Sequence, residues 1–444
     1  MRQFRQVVMM AGSVSLLLSL AGPNMMVGAI PASNNAECET LPPPAGVSAL
    51  SAGQEVQVDE ILEGMPLEDK IGQMLMAGVT GTTADDDART MIEDLHIGNV
   101  ILMGRNIENP AQVQALTNDL QDLAIDSNGV GAIIATDQEG GLVQRLHYTD
   151  GFTALPMAAT VGLARCPEVV RAYGAMAGAE MAAVGVNMDM APDLDVNTNP
   201  DNPVIGSLGR SYGATPADVE DAAIPFMLGL HDAGVMATGK HFPGHGATTT
   251  DSHLDLPFVD EDRETLEAVD IAPFRTAIAN GIDAIMPAHV VYPALDPDDR
   301  PATISHAIQT GLLRDELGFD GLIVTDDMGM KGITNILPPE ESGVAAVLAG
   351  ADIVLCVRMD SASSCAPDMI DPLRDGLLAA ARDGTISPER IDGSVRRILS
   401  AKIRYDVGPV GDADLAAVNG SSHLQAVVDL LEVVAMRKAE EGQP

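Results

Sequence analysis

The sequence predicts an α/β protein: a single (β/α)8 TIM-type barrel followed by a short C-terminal helical tail. Two observations predict it. Eight short apolar runs alternate with longer stretches of helical period, as strands and crossover helices do around a parallel sheet. The alternation extends over roughly 340 residues, within the range of one barrel carrying insertions. An open doubly wound sheet is the structural alternative. No G-x-G-x-x-G follows the first run, however, so a dinucleotide-binding version has no foothold.

The apolar runs lie at 71–78, 98–103, 131–136, 186–191, 235–238, 284–288, 321–325 and 351–357. Helical candidates between them are 110–125, 168–184, 216–233, 263–279 and 343–349. The barrel domain is therefore expected over 58–405. Beyond it, 406–444 reads as a tail: a Gly- and Asp-containing connector, then one amphipathic stretch at 422–439 that packs as a terminal helix.

The segment before the barrel has a different character. Arg2 and Arg5 precede a short apolar stretch and then the small residues around Val27, Gly28 and Ala29, the pattern of a secretory signal peptide over 1–29. The stretch is short for a membrane span, which needs about 20 apolar residues. Residues 30–57 are rich in Pro, Ala, Ser and Gly and are expected to form a flexible linker. This reading implies export to the cell envelope or the medium, with no stable membrane insertion after processing. Export places Cys38, Cys166, Cys356 and Cys365 in an oxidising compartment, where an even number of cysteines is compatible with disulfides. Cys356 and Cys365 would close one small loop.

Composition narrows the function classes. The 444 residues carry 25 Lys and Arg against 64 Asp and Glu, a net charge of −39. Phosphate backbones would repel such a chain, which argues against a nucleic-acid partner. Aromatic residues make up 3% and tryptophan is absent, so a ligand would be held mainly by charged and amide hydrogen bonds.

Barrel enzymes carry their chemistry where strands run out into loops at the C-terminal face. Five predicted strands end in capable residues. The third runs into Asp137-Gln138-Glu139-Gly140-Gly141, and the fourth gives Pro192-Asp193-Leu194-Asp195. The fifth leads into Lys240-His241-Phe242-Pro243-Gly244-His245-Gly246, the sixth ends at Ala288-His289, and the seventh at Thr325-Asp326-Asp327. Downstream of the fifth strand lies Asp251-Ser252-His253. A carboxylate two residues before an imidazole can raise its proton affinity and fit it for general acid and base work. An isolated pair of this kind is also an ordinary loop hydrogen bond. A metal centre is not expected, since no H-E-x-x-H occurs and no C-x-x-C offers a zinc site. Asp326, at the rim of a short apolar strand, can be a nucleophile, a base or a hydrogen-bonded strand end.

Together with Arg210-Ser211-Tyr212-Gly213, these segments resemble glycoside hydrolase family 3, in its bacterial β-N-acetylglucosaminidase (β-N-acetylhexosaminidase) branch of single-domain type. The K-H-F-P-G-H-G and D-S-H elements distinguish that branch from the family's β-glucosidases. The resemblance implies a retaining exo-β-N-acetylglucosaminidase that needs no cofactor and acts on GlcNAc-containing oligosaccharides. It implies Asp326 as nucleophile, His253 supported by Asp251 as acid/base, and Asp137, Arg145, Arg210, Lys240 and His241 as sugar-binding residues. A β-glucosidase or β-xylosidase, a GlcNAc phosphorylase and an inactive saccharide-binding barrel are the alternatives. One departure stands out: Leu142 follows the double glycine where the family pattern has Arg.

Overall fold

The computed structural model describes Cys38 and residues 49–358, 367–411 and 415–441. The chain groups into two units, 1–38 and 39–444, and the fold described here belongs to the second. The expected signal peptide and most of the expected linker lie outside the described residues, as does Cys365.

All eight expected strands are present. In chain order the strands are β1 (Leu75–Gly78), β2 (Asn99–Leu102), β3 (Ile133–Thr136), β4 (Gln138–Gly140), β5 (Val143–Gln144), β6 (Met188–Asp189), β7 (Met236–Phe242), β8 (Ala284–Pro287), β9 (Leu322–Ile323) and β10 (Val354–Cys356). β4 and β5 form a separate antiparallel hairpin, while the other eight make one parallel sheet in the order β10-β1-β2-β3-β6-β7-β8-β9. A parallel bridge between Val324 and Ile353 joins its two ends, with Thr325 N–H donating to the Ile353 carbonyl at 2.9 Å. The sheet thus closes into a barrel. Every residue of its eight strands is buried, because helices cover the outer face and side chains fill the inner one.

Local chemistry sets where the helices start. Pro110, Pro167 and Pro216 open the helices Pro110–Asn128, Pro167–Ala183 and Pro216–Asp232, where a missing N–H costs nothing. Asn109 and Thr215 cap two of them by accepting the N–H groups of Gln112 and Asp218. The tail forms the helix Ser421–Glu440, and it is anchored on the barrel's helix layer. Its His423 Nδ1 lies 2.9 Å from Glu180 Oε1, an oxygen that also accepts the Asn419 N–H at 2.7 Å.

Three of the differences from the expected boundaries have a plain local cause. The first strand begins at Leu75, because Leu67–Gln73 is a helix with Glu68 and Asp69 in its first turn, where acids suit the helix dipole. The expected helix over 263–279 is two helices, Arg263–Ala268 and Ala272–Ala279, interrupted just before Pro273, which has no N–H to continue a helix. The last six residues of the expected linker are helical. Ser51 and Gln54 form a capping box that opens the helix Ala52–Gly64, and its Val58 and Leu62 are buried. Cys38, Cys166 and Cys356 are each disulfide-bonded. Among the described residues no helix is long and apolar enough to cross a membrane.

Candidate active site

The C-terminal mouth of the barrel is organised around two carboxylates on the segment leaving β3. Asp137 and Glu139 are two apart in extended chain, so they project the same way. The β4–β5 hairpin then folds back, and Arg145 N–H donates to the Asp137 carbonyl at 3.1 Å, which sets the Arg145 guanidinium 3.2 Å from Asp137 Oδ2. Leu142 sits between the two hairpin strands and is 68% exposed.

Lys240, on β7, reaches both acids, with Nζ 3.0 Å from Asp137 Oδ1 and 2.6 Å from Glu139 Oε1. Arg210 grips Glu139 with two parallel hydrogen bonds, both 2.8 Å. Its Nη2 lies 3.5 Å from His241 Nε2, and His241 Nδ1 lies 2.8 Å from Asp195 Oδ2. All five sequence-predicted binding residues therefore belong to one connected network.

Most of that network is buried, and its protonation follows from the charges packed together there. Burial acts to raise the Asp137 pKa, but Lys240 and Arg145 outweigh it and hold the carboxyl well below the usual range. Glu139 faces the same burial, and Arg210 and Lys240 bring it down to about 2. Asp195 is likewise drawn to about 2 by His241 against its burial. Asp189 and Asp193 behave oppositely: burial pushes Asp189 up to about 8, and burial with the neighbouring Asp195 raises Asp193 well above normal. Asp189 and Asp193 are thus biased towards the protonated form, while Asp137 and Glu139 face the cations Arg145, Arg210 and Lys240.

The reactive end lies between β7 and β9. Asp326 follows β9 and accepts the Asp327 N–H at 2.7 Å. Burial would raise its pKa, but the imidazoles of His289, His241 and His253 around it, with that N–H, hold it below the ordinary value. His253 stands on the loop after β7, its side chain 43% exposed, with Nδ1 2.8 Å from Asp251 Oδ1. The same oxygen accepts the His253 N–H at 2.8 Å. This fixes the ring so that Nε2 is the nitrogen left for chemistry. Gly246 makes the loop's path possible, since a Cβ there would collide with the Val196 carbonyl.

Asp193, Asp195 and His241 place one potential metal-ligand atom each within 4.8 Å of one another. Asp195 and His241 are already engaged with each other, and Arg210 Nε stands 3.8 Å from Asp193 Oδ2, so a guanidinium supplies the positive charge there. Glu139, Asp195 and His289 were not among the site residues expected from sequence. For the two acids a signal existed: each lies two residues from another acid in a strand-end motif. His289 follows β8, the strand beside β9, which places it next to Asp326.

The barrel and the chemistry at its mouth put the chain among the barrel enzymes with sites at the C-terminal face. It belongs to glycoside hydrolase family 3: the sequence profile described as "Glycosyl hydrolase family 3 N terminal domain" matches residues 66–401. It is accordingly a glycoside hydrolase. A solved family 3 β-N-acetylglucosaminidase from Paenibacillus sp. is 43% identical, superposes with a TM-score of 0.78, and is matched over 83% of this chain and 69% of its own. The β-hexosaminidase of Alkalilimnicola ehrlichii is 37% identical over 305 residues, 67% of this chain and 84% of that protein. β-Hexosaminidase A of Pseudoalteromonas piscicida is 35% identical over 359 residues, 77% of this chain, which spans only 58% of its length.

Proposed function

We propose that the protein is a retaining exo-β-N-acetylglucosaminidase in which Asp326 is the nucleophile and His253, held by Asp251, is the acid/base. The observation that carries this reading is an Asp326 carboxyl kept ionised among imidazoles, one of which belongs to a half-exposed His–Asp pair on the adjacent loop. In the first step an Asp326 oxygen attacks the anomeric carbon while His253 gives its Nε2 proton to the departing glycosidic oxygen. In the second, His253 takes a proton from water as that water attacks the glycosyl–Asp326 ester, restoring both groups. An imidazole serves here where most retaining enzymes use a second carboxyl, and it adds no like charge beside Asp326. Asp137, Lys240, Arg145, Arg210 and His241 would grip the hydroxyls of the terminal sugar, with their charges already balanced before it arrives.

The relatives' names favour GlcNAc as that sugar. Peptidoglycan fragments and chitooligosaccharides are the natural sources that present it. The disulfide-bonded cysteines and the N-terminal pattern support export, which cell fractionation would test. The activity is tested with aryl β-GlcNAc and aryl β-glucoside substrates, with and without phosphate. Release from the GlcNAc substrate alone, independent of phosphate and abolished in Asp326→Ala, is the expected result. Equal cleavage of both glycosides, phosphate-driven turnover, or an active Asp326→Ala would each overturn it.

A further inference from the structure

His245 is the second imidazole of the Lys240–Gly246 motif, and the chemistry above leaves it without a role. It is 1% exposed, yet each of its polar groups is spoken for. Its backbone N–H donates to Asp195 Oδ1 at 2.6 Å, an oxygen that also accepts the His241 N–H at 3.2 Å. Its ring spans two hydroxyls, with Nδ1 2.8 Å from Thr248 Oγ1 and Nε2 3.1 Å from Ser252 Oγ. Burial, aided by the charge of His241, pushes its pKa down to about 4, so the ring is neutral and offers one donor and one acceptor.

Ser252 is the middle residue of Asp251-Ser252-His253. It is 2% exposed, whereas its two neighbours face outward from the loop. Its carbonyl accepts the Gly332 N–H at 3.1 Å, and Gly332 lies on the segment that follows Asp326. Within this loop Ser252 is thus the inward anchor, and its hydroxyl meets the His245 ring.

We propose that His245 is a positioning residue for the acid/base: through Ser252 it fixes the loop that delivers His253 and couples that loop to Asp195 and His241 in the sugar pocket. The proposal rests on the assignment of His253 as proton donor. A group that acts only through the proton donor matters in proportion to how much the leaving group needs a proton. His245→Phe, which keeps the volume without the hydrogen bonds, and Ser252→Ala should therefore act selectively.

The experiment compares kcat/KM on a dinitrophenyl β-GlcNAc substrate with that on a GlcNAc disaccharide, for wild type, His245→Phe, Ser252→Ala, Ser252→Thr and His253→Ala. We expect His245→Phe to lose about 100-fold on the disaccharide and less than about threefold on the activated substrate, within the range ascribed to general acid catalysis. Ser252→Ala should show the same split at smaller amplitude, and Ser252→Thr, which keeps the hydroxyl, should restore it. Azide should accelerate turnover of the activated substrate by both impaired variants, as an anion replaces water that needs a base. If His253→Ala itself shows no split, the acid/base assignment fails. If His253→Ala splits while His245→Phe and Ser252→Ala lose equally on both substrates, the positioning role fails. Should His245→Phe not fold, the Ser252 pair decides.

Discussion

Glu139 Oε1 lies 2.6 Å from Lys240 Nζ, and both Glu139 oxygens are held by Arg210 at 2.8 Å, with the three side chains almost fully buried. One carboxylate thus fixes two of the proposed sugar-binding cations. Glu139→Gln would keep the shape and remove the charge, leaving Lys240 with Asp137 alone and Arg210 without its bidentate carboxylate. Breaking a buried ion pair from one side costs about 3–5 kcal/mol of stability. Denaturant unfolding should register a loss of that order, and KM should rise at least about tenfold as Lys240 and Arg210 lose their orientation, in line with the worth of a charged hydrogen bond. A variant with unchanged KM would show that the cations hold their places without Glu139.

The eight strands were readable because each is a short apolar run between segments of helical period. Their limits were less so: the residues around Ile71 are as apolar as a strand, and only the acids before them mark the helix that forms. The single helix expected over 263–279 passed over the break before Pro273. In the candidate site, the motifs point to Asp326, His253 and the cations proposed to bind sugar. Alternation could have added Glu139 beside Asp137 and Asp195 beside Asp193. The upward pKa shifts of Asp189 and Asp193 were not readable, because they depend on which carboxylates and cations are buried together, and that is fixed by barrel closure.

The depressed pKa of Asp326 has a direct kinetic signature. The proposed nucleophile would act as a carboxylate, so lowering its pKa moves the acidic limb of activity to lower pH. With an activated aryl substrate, which needs little proton donation, kcat/KM should stay level as pH falls to about 5 and halve only below the ordinary aspartate value of about 3.9. Initial rates over short times, with recovery checked at neutral pH, measure this. An apparent pKa of about 5 or more would mean that burial dominates over the surrounding imidazoles.

The cysteines make a structural prediction. Cys38, Cys166 and Cys356 are each bonded, and Cys356 closes β10 with no exposed surface. Alkylation in denaturant without reductant should leave all three unlabelled in protein folded under oxidising conditions, and peptide mapping will identify their partners. Reduction should lower thermal stability, since losing a native disulfide costs about 2–5 kcal/mol. Free thiol at any of the three in protein folded under oxidising conditions would contradict the structure.

Asp270 separates folded from unfolded ionisation. It is fully buried against Gly244, and neither carboxylate oxygen has a hydrogen-bond partner among the described residues. Burial, with the charges of Glu261 and Asp195 nearby, pushes its pKa up to about 8. Unfolded, the same group ionises near pH about 3.9. Between these values the folded chain binds a proton that the unfolded chain has released, so stability falls as pH rises through the window and levels off above pH 8. Asp270→Asn keeps the shape without the titration. Its stability relative to wild type should therefore climb steadily from pH 4 to pH 8, reaching an advantage on the order of several kcal/mol by linkage. Urea unfolding of both proteins across that range gives the comparison. A difference that does not change with pH would show that Asp270 ionises alike in both states.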